Sequence, residues 1–156
     1  MDIRRAVISD MPGINKLLNQ VLMVHHNGRP DLFKAYVKKY TDEELAEIIS
    51  DDKKPIFVAV DDSDEVLGYA FCVYQQHIND NILTDVKTLY IDDLCVDEDK
   101  RGLHIGKQLY DYVVAFAKDN NFYNITLNVW SCNENAMKFY QACGLAPQKV
   151  GMEKIL

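Results

Sequence analysis

Two adjacent aspartates, Asp92 and Asp93, lie inside Leu89 to Val96, an otherwise apolar run that reads as a buried strand. Carboxylates in such a strand are costly unless paired or solvated, which favours a cleft beside them. A carboxylate in a cleft can take a proton from a nucleophile. The next residues carry a second chemistry. Asp97 to Lys100 breaks the strand, and Arg101, Gly102, Leu103, His104, Ile105, Gly106 and Lys107 then open a segment, QLYDYVVAFAK, whose apolar residues fall at helical spacing. A loop of this kind aims several backbone N–H groups at one point, at the positive end of a helix, and such a point binds phosphate. The glycines let an anion approach the backbone, and Arg101 and Lys107 add positive charge.

The elements that must hold these residues follow from pattern. Met1 to Ile8 has the composition of a first strand. Ser9 and Asp10 before Pro12 form a helix start, and Ile14, Leu17, Leu18, Val21 and Leu22 fall at helical spacing up to His25–Gly28. Asp31 is placed to cap a second helical region. Thr41 with Glu44 three residues on is a capping box opening another. Ile56 to Val60 and Val66 to Tyr74 form a hairpin across the acidic turn Asp61 to Glu65, with Gly68 suited to a bulge. Gln75 to Asp85 is a polar loop. The central strand is Val86 to Val96, followed by a helix over His104 to Lys118. Ile125 to Trp130 is a strand, Asn133 to Cys143 a helix closed by Gly144, and Pro147 to Leu156 a last strand. Strict alternation along the central strand puts Tyr90, Asp92, Leu94 and Val96 on one face and Ile91, Asp93 and Cys95 on the other. The predicted fold is a mixed α/β sheet (α+β), antiparallel first, with a late β-α-β crossover.

At 156 residues the chain is one domain, 1–156, long enough for a real core. No apolar run approaches the ~18–20 residues that span a bilayer, and no signal peptide opens the chain, so a cytoplasmic location is expected. The net charge of −7 argues against nucleic-acid affinity and is compatible with a cationic substrate. Cys72, Cys95, Cys132 and Cys143 form no C-x-x-C pair and read as reduced core residues. His25, His26, His77 and His104 show no ligand spacing, so no metal is expected.

Two motifs in order carry a resemblance. V-x-x-x-x-R-G-x-x-I-G, from Val96 to Gly106, and N-x-x-A-x-x-F-Y-x-x-x-G-L, from Asn133 to Leu145, together resemble the GNAT superfamily of acyl-CoA-dependent N-acyltransferases. The first is similar to the family's pyrophosphate loop, usually R/Q-x-x-G-x-G/A, here with Arg101, His104 and Gly106. His104 stands where a glycine is usual. It is expected in the first helical turn, since a positive φ would strain it. The resemblance implies a GNAT-like sheet flanked by about four helices. It also implies a splayed strand pair with acetyl-CoA as cosubstrate in the gap. The pantetheine arm would then pair with the backbone of Leu94, Cys95 and Val96, and a main-chain N–H near Cys95 or Val96 would polarise the carbonyl.

Transfer to an amine needs a base, because an alkylammonium with a pKa of about 10.4 is no nucleophile at neutral pH. The family commonly carries an acid four residues before the valine, which favours Asp92, with Asp93 or a base elsewhere as alternatives. Tyr140 matches the family's tyrosine and is the candidate acid to the leaving thiolate, its alternative being a core tyrosine. Asn133 is a pantetheine contact or a plain helix N-cap. Lys138 is a phosphate contact or a solvated lysine. By the same resemblance the first helices and the loop after the hairpin set the acceptor, here His26, Asp31 and Tyr36 among their neighbours. The acceptor is a small-molecule amine or a protein amino group, no membrane is involved, and a homodimer is compatible. A catalytically silent CoA-binding module on the same fold is the alternative function.

Overall fold

The structure, a computed structural model, describes all residues 1–156. Its elements are β1 (Asp2–Arg5), α1 (Met11–Gly28), α2 (Asp42–Ser50), β2 (Ile56–Val60), β3 (Val66–Gln75), β4 (Thr88–Val96), α3 (Ile105–Asp119), β5 (Asn124–Leu127) and α4 (Glu134–Ala142). The five strands form one sheet in sequence order. All neighbours are antiparallel except β4 and β5, which are parallel across the α3 crossover. No helix is long and apolar enough to cross a membrane.

Helices cover both faces, which is why the middle strands are apolar throughout. Along β2, Ile56, Val58 and Val60 meet Ile14, Leu17 and Leu18 of α1 and Leu45 of α2. Phe57 meets the other face, with Tyr110 and Val113 of α3, and Ala59 joins Ile105 and Leu109 there. Local signals held. Pro12 opens α1, the Thr41 hydroxyl accepts from the Glu44 amide at 3.2 Å, and Gly144 adopts φ 92 after α4. Asp10 accepts from the Val7 amide at 2.8 Å and takes a two-pronged bond from Arg4 at 2.8 and 3.0 Å, tying β1 to α1.

Four expectations are corrected. Pro147 to Leu156 forms no strand. No helix follows Asp31, whose carboxylate is instead held by Arg29 at 2.7 and 2.9 Å. Cys132 is exposed, although Cys72 and Cys95 are buried. The fourth correction concerns the faces of β4. The register with β3 slips between Phe71, opposite Asp93, and Cys72, opposite Ile91, so Asp92 is an extra, bulged residue. Leu89 and Ile91 before it, and Leu94 and Val96 after it, therefore all face α3. Asp93 and Cys95 face Tyr69 and α1. Period-two alternation ignores a bulge, and one inserted residue reverses every side chain beyond it.

Gly68 sits beside a second register shift, in the β2–β3 hairpin. A Cβ there would lie 2.9 Å from both the Cys95 carbonyl oxygen and Leu109 Cδ1. We expect Gly68→Ala to destabilise the protein by about 1–3 kcal/mol in urea denaturation, because backbone and core cannot both give way.

Candidate active site

Pairing between β4 and β5 ends at Ile91 opposite Leu127, although β4 continues to Val96. The edge of Asp92, Asp93, Leu94, Cys95 and Val96 that faces away from β3 thus has no strand partner. The chain from Asn128 turns away instead of continuing β5, which ends three residues earlier than its apolar run predicted. The Asn128 side-chain Nδ2 still donates back to the Tyr90 hydroxyl at 3.2 Å, at the point where the two strands part. The result is a V-shaped gap with an open main-chain edge.

At the end of that edge the phosphate-loop residues come together. Asp97, 1 % exposed, accepts from Lys16 Nζ at 2.6 Å, Gln20 Nε2 at 3.2 Å and the Asp99 amide at 3.2 Å. The bond to Lys16, set against burial, holds its carboxyl below the usual range, so the loop starts from an ionised anchor. Gly102 turns the chain at φ 84 and Leu103 is exposed. His104 adopts φ 58, so the expected helical conformation is overturned: it caps α3 in the left-handed region. The first helical bond runs from the Gln108 amide to the His104 carbonyl. The amides of Ile105, Gly106 and Lys107 are left without acceptors in the helix. Gly106 lies where a side chain would crowd Val96 and Phe139, at 3.4 and 3.5 Å. Arg101 is exposed beside the loop, whereas the Lys107 ammonium is turned onto Asp111. These features fit a nucleotide diphosphate: unbonded amides at a helix start, a small residue over them and one free guanidinium.

The acidic pair divides at the bulge. Asp92 points outward, with Lys39 Nζ 3.5 Å from its carboxylate. Asp93 points inward and accepts from the Tyr69 hydroxyl at 2.6 Å. Burial raises the Asp93 carboxyl above its ordinary value, and Tyr69, Lys39 and His25 pull it partly back. Burial likewise pushes the Tyr140 phenol up, reinforced by the Asp93 charge. Burial lowers His25, which Asp93 partly offsets. Asp93 is thus the charge that Tyr140, His25 and Lys39 have in common. Nothing in the sequence pattern pointed to Tyr69 or Lys39. Tyr69 lies one turn of the pleat from Phe71, and only the β3–β4 register sets it under Asp93.

The remaining site residues separate. Asn133 Oδ1 accepts from the Ala136 amide at 3.2 Å, which is the helix-cap role, and Lys138 is exposed on α4. His26 Nδ1 meets the Phe33 carbonyl at 2.7 Å and so braces the segment after α1. Asp31 is bound to Arg29, and Tyr36 is 90 % exposed. His26, Asp31 and Tyr36 therefore do not close a common pocket. The wall nearer the gap is aromatic: His25 lies 5.0 Å from Phe33, and Phe33 lies 5.3 Å, edge-on, from Trp130. A cavity of about 310 Å³ opens there, lined by Val24, His25, Cys132, Asn133, Glu134 and Asn135.

The family model for the Acetyltransferase (GNAT) family matches residues 23–145. The chain belongs to this family of acyltransferases. It is 31% identical over 103 residues to the peptidyl-lysine N-acetyltransferase YjaB of Salmonella typhimurium. That match covers 65% of this chain and spans 58% of the relative's length. A crystal structure of a tetramutant of the BH1408 protein of Bacillus halodurans is 30% identical. It superposes with a TM-score of 0.95 over 100% of both chains. Glucosamine-6-phosphate N-acetyltransferase from Arabidopsis thaliana shares the fold, with a TM-score of 0.71 at 24% identity over 99% of this chain and 97% of its own.

Left-handed backbone costs a Cβ-bearing residue on the order of 1–2 kcal/mol. We expect His104→Gly to stabilise the protein by about 1 kcal/mol in urea denaturation and to leave coenzyme A affinity unchanged, since the amides that meet phosphate stay in place.

Proposed function

We propose that the protein is an N-acetyltransferase that moves an acetyl group from acetyl-CoA to a primary amine by direct attack. The observation that carries this reading is the partnerless edge of β4 beyond Ile91, bracketed by the half-buried Asp93 carboxyl and the unbonded amides that open α3. An extended pantetheine arm has amides that suit such an edge, and its diphosphate suits the α3 start.

Asp93 is the proposed base in place of Asp92. Half-buried and raised, it sits closer to the working pH than a solvated carboxylate would, while Asp92 is turned to Lys39 and solvent. Asp93 takes a proton from the acceptor's ammonium, directly or through water. The freed nitrogen bonds to the thioester carbonyl carbon, and the carbon–sulfur bond breaks. Tyr140, kept neutral by its raised pKa, donates its proton to the departing sulfur. It recovers one from the nitrogen as the amide forms. One proton leaves for solvent and one stays on the thiol.

The acceptor we favour is a lysine side chain on a polypeptide. His26, Asp31 and Tyr36 leave their side of the molecule open, with Tyr36 90 % exposed. A relative named for acetylating peptidyl lysine supports the same choice. Thiol release from acetyl-CoA with lysine-containing peptides, set beside free polyamines and amino sugars, tests this. Faster turnover with peptides is expected, and turnover confined to free amines would reject the polypeptide acceptor.

Tyr140→Phe should lower kcat by about 100-fold while coenzyme A affinity holds, because a phenyl ring keeps the packing and loses the proton. Asp93→Asn should cost as much, and Asp92→Asn much less. Since the Asp93 carboxyl is raised, kcat/KM should fall on the acid side at a pH above the ordinary carboxylate range. Tyr69→Phe removes the bond that favours the carboxylate, so this limb should move to still higher pH. Gly106→Asp should weaken coenzyme A binding at least about tenfold by calorimetry, its carboxylate being set against the diphosphate. Wild-type affinity in that variant would remove the loop from the binding site.

A further inference from the structure

We propose that Lys39 is a modification site at which the protein acetylates itself, its side-chain nitrogen taking the acetyl group from acetyl-CoA held in the same chain. The step rests on the acetyl transfer proposed above and adds an acceptor that the chain itself carries. An acceptor for that reaction must bring an ammonium to the strand acids, and one is already there. Lys39 Nζ lies 3.5 Å from Asp92 Oδ2, and its charge also bears on Asp93. No other lysine pairs with either carboxylate. Lys16 is bound to Asp97, Lys38 to Asp42, Lys107 to Asp111 and Lys87 to the Asn120 carbonyl.

The backbone that carries this amine is fixed beside the acids. Tyr40, the next residue, stacks on Phe71, with ring centroids 6.0 Å and planes 17° apart. Phe71 is the cross-strand partner of Asp93, so Tyr40 ties the segment to that point of the sheet. Thr41 then caps α2. Lys39 Nζ lies 5.3 Å from the Tyr40 ring centroid, and a cation over a ring face is attracted to it. Yet the hold on the ammonium is light. The Asp92 contact is long and joins side chains that are 40 and 34 % exposed, so it is a solvated pair that is readily given up. Lys16, by contrast, is held on buried Asp97 at 2.6 Å.

The chemistry balances without a further reactant. Tyr69 binds Asp93 Oδ2 and leaves Oδ1 without a donor. That carboxylate takes a proton from the Lys39 ammonium. The freed nitrogen pair bonds to the thioester carbonyl carbon, and the carbon–sulfur bond breaks. Tyr140 protonates the sulfur and is reprotonated from the nitrogen. The products are acetyl-lysine, the coenzyme A thiol and one proton released to solvent. The neutral amide no longer pairs with Asp92, so the acids lose the one ammonium that the chain gave them.

Mass spectrometry of the full chain after incubation with acetyl-CoA, read lysine by lysine, tests this. Lys39 should take up acetyl faster than any other lysine, toward one per chain, with a rate constant that does not change with protein concentration. Tyr140→Phe should slow the labelling of Lys39 about 100-fold, while spontaneous acetylation of the other lysines continues as before. When an isotope-labelled Tyr140→Phe chain is mixed with the wild type, Lys39 of the wild type alone should be acetylated. Equal labelling of both chains shows transfer between molecules and overturns the proposal. Lys39 labelled no faster than the other lysines overturns it too, and thiol release with added peptides on the same sample then tells which reading has failed. Peptide turnover with a bare Lys39 leaves the acetyl transfer standing and removes only the internal acceptor. No thiol release with any amine removes both.

Discussion

The bulge at Asp92 sets the geometry of everything that could act in this molecule. One extra residue in β4 breaks the ladder to β3 and increases local twist. The same strand loses its other neighbour one residue earlier, after Ile91. From there to Val96, β4 is held on one side only. A sheet interior cannot leave main-chain groups open in this way unless something else is to occupy the gap. The bulge also reverses the faces, so that Asp93 turns onto Tyr69 and Asp92 turns to solvent. Inward acid and displaced acid are two results of one insertion, and the open edge follows from β5 ending at Leu127.

The second constraint is the anchor below the gap. Asp97 is almost wholly buried, yet Lys16, Gln20 and the Asp99 amide satisfy its carboxylate. Removing one partner of such a charge costs far more than the pair contributes, so the group behaves as a rigid pin. It joins α1 to the end of β4 and fixes where the next turn begins. His104 accepts left-handed backbone as a consequence, because the chain must swing from that pin into α3 within a few residues. Buried Ile105 and Leu109 then seat α3 on the sheet with its first amides toward the gap.

Around Phe33 and Tyr36 the architecture is looser. Phe33 braces His25 and Trp130, but the loops carrying Tyr36 and Ile82 stand exposed. The β4 side is thus held by the core, while the face that carries Tyr36 stands open to solvent. The half-covered wall of β5 and α4 belongs to the same asymmetry: the gap is braced by the core on its β4 side and by little on the other.

Much of this was legible in the residues. Caps at Thr41 and Gly144, the apolar period of α1 and α3, the hairpin and the crossover all arise from contacts within a few residues, which sequence specifies directly. The glycine-bearing loop and the Asn133–Leu145 motif marked the family for the same reason. Three things lay outside that range. Which aspartate faces inward depended on a register slip against β3, where one residue's offset decides the face. The conformation of His104 depended on Asp97 being pinned by Lys16, 81 positions away. The fate of Pro147 to Leu156 depended on whether a neighbouring edge lay within reach, since a strand acquires its hydrogen bonds from a partner and not from itself. Local chemistry was therefore written in the chain, while pairing, a property of two segments at once, was decided only when the chain folded.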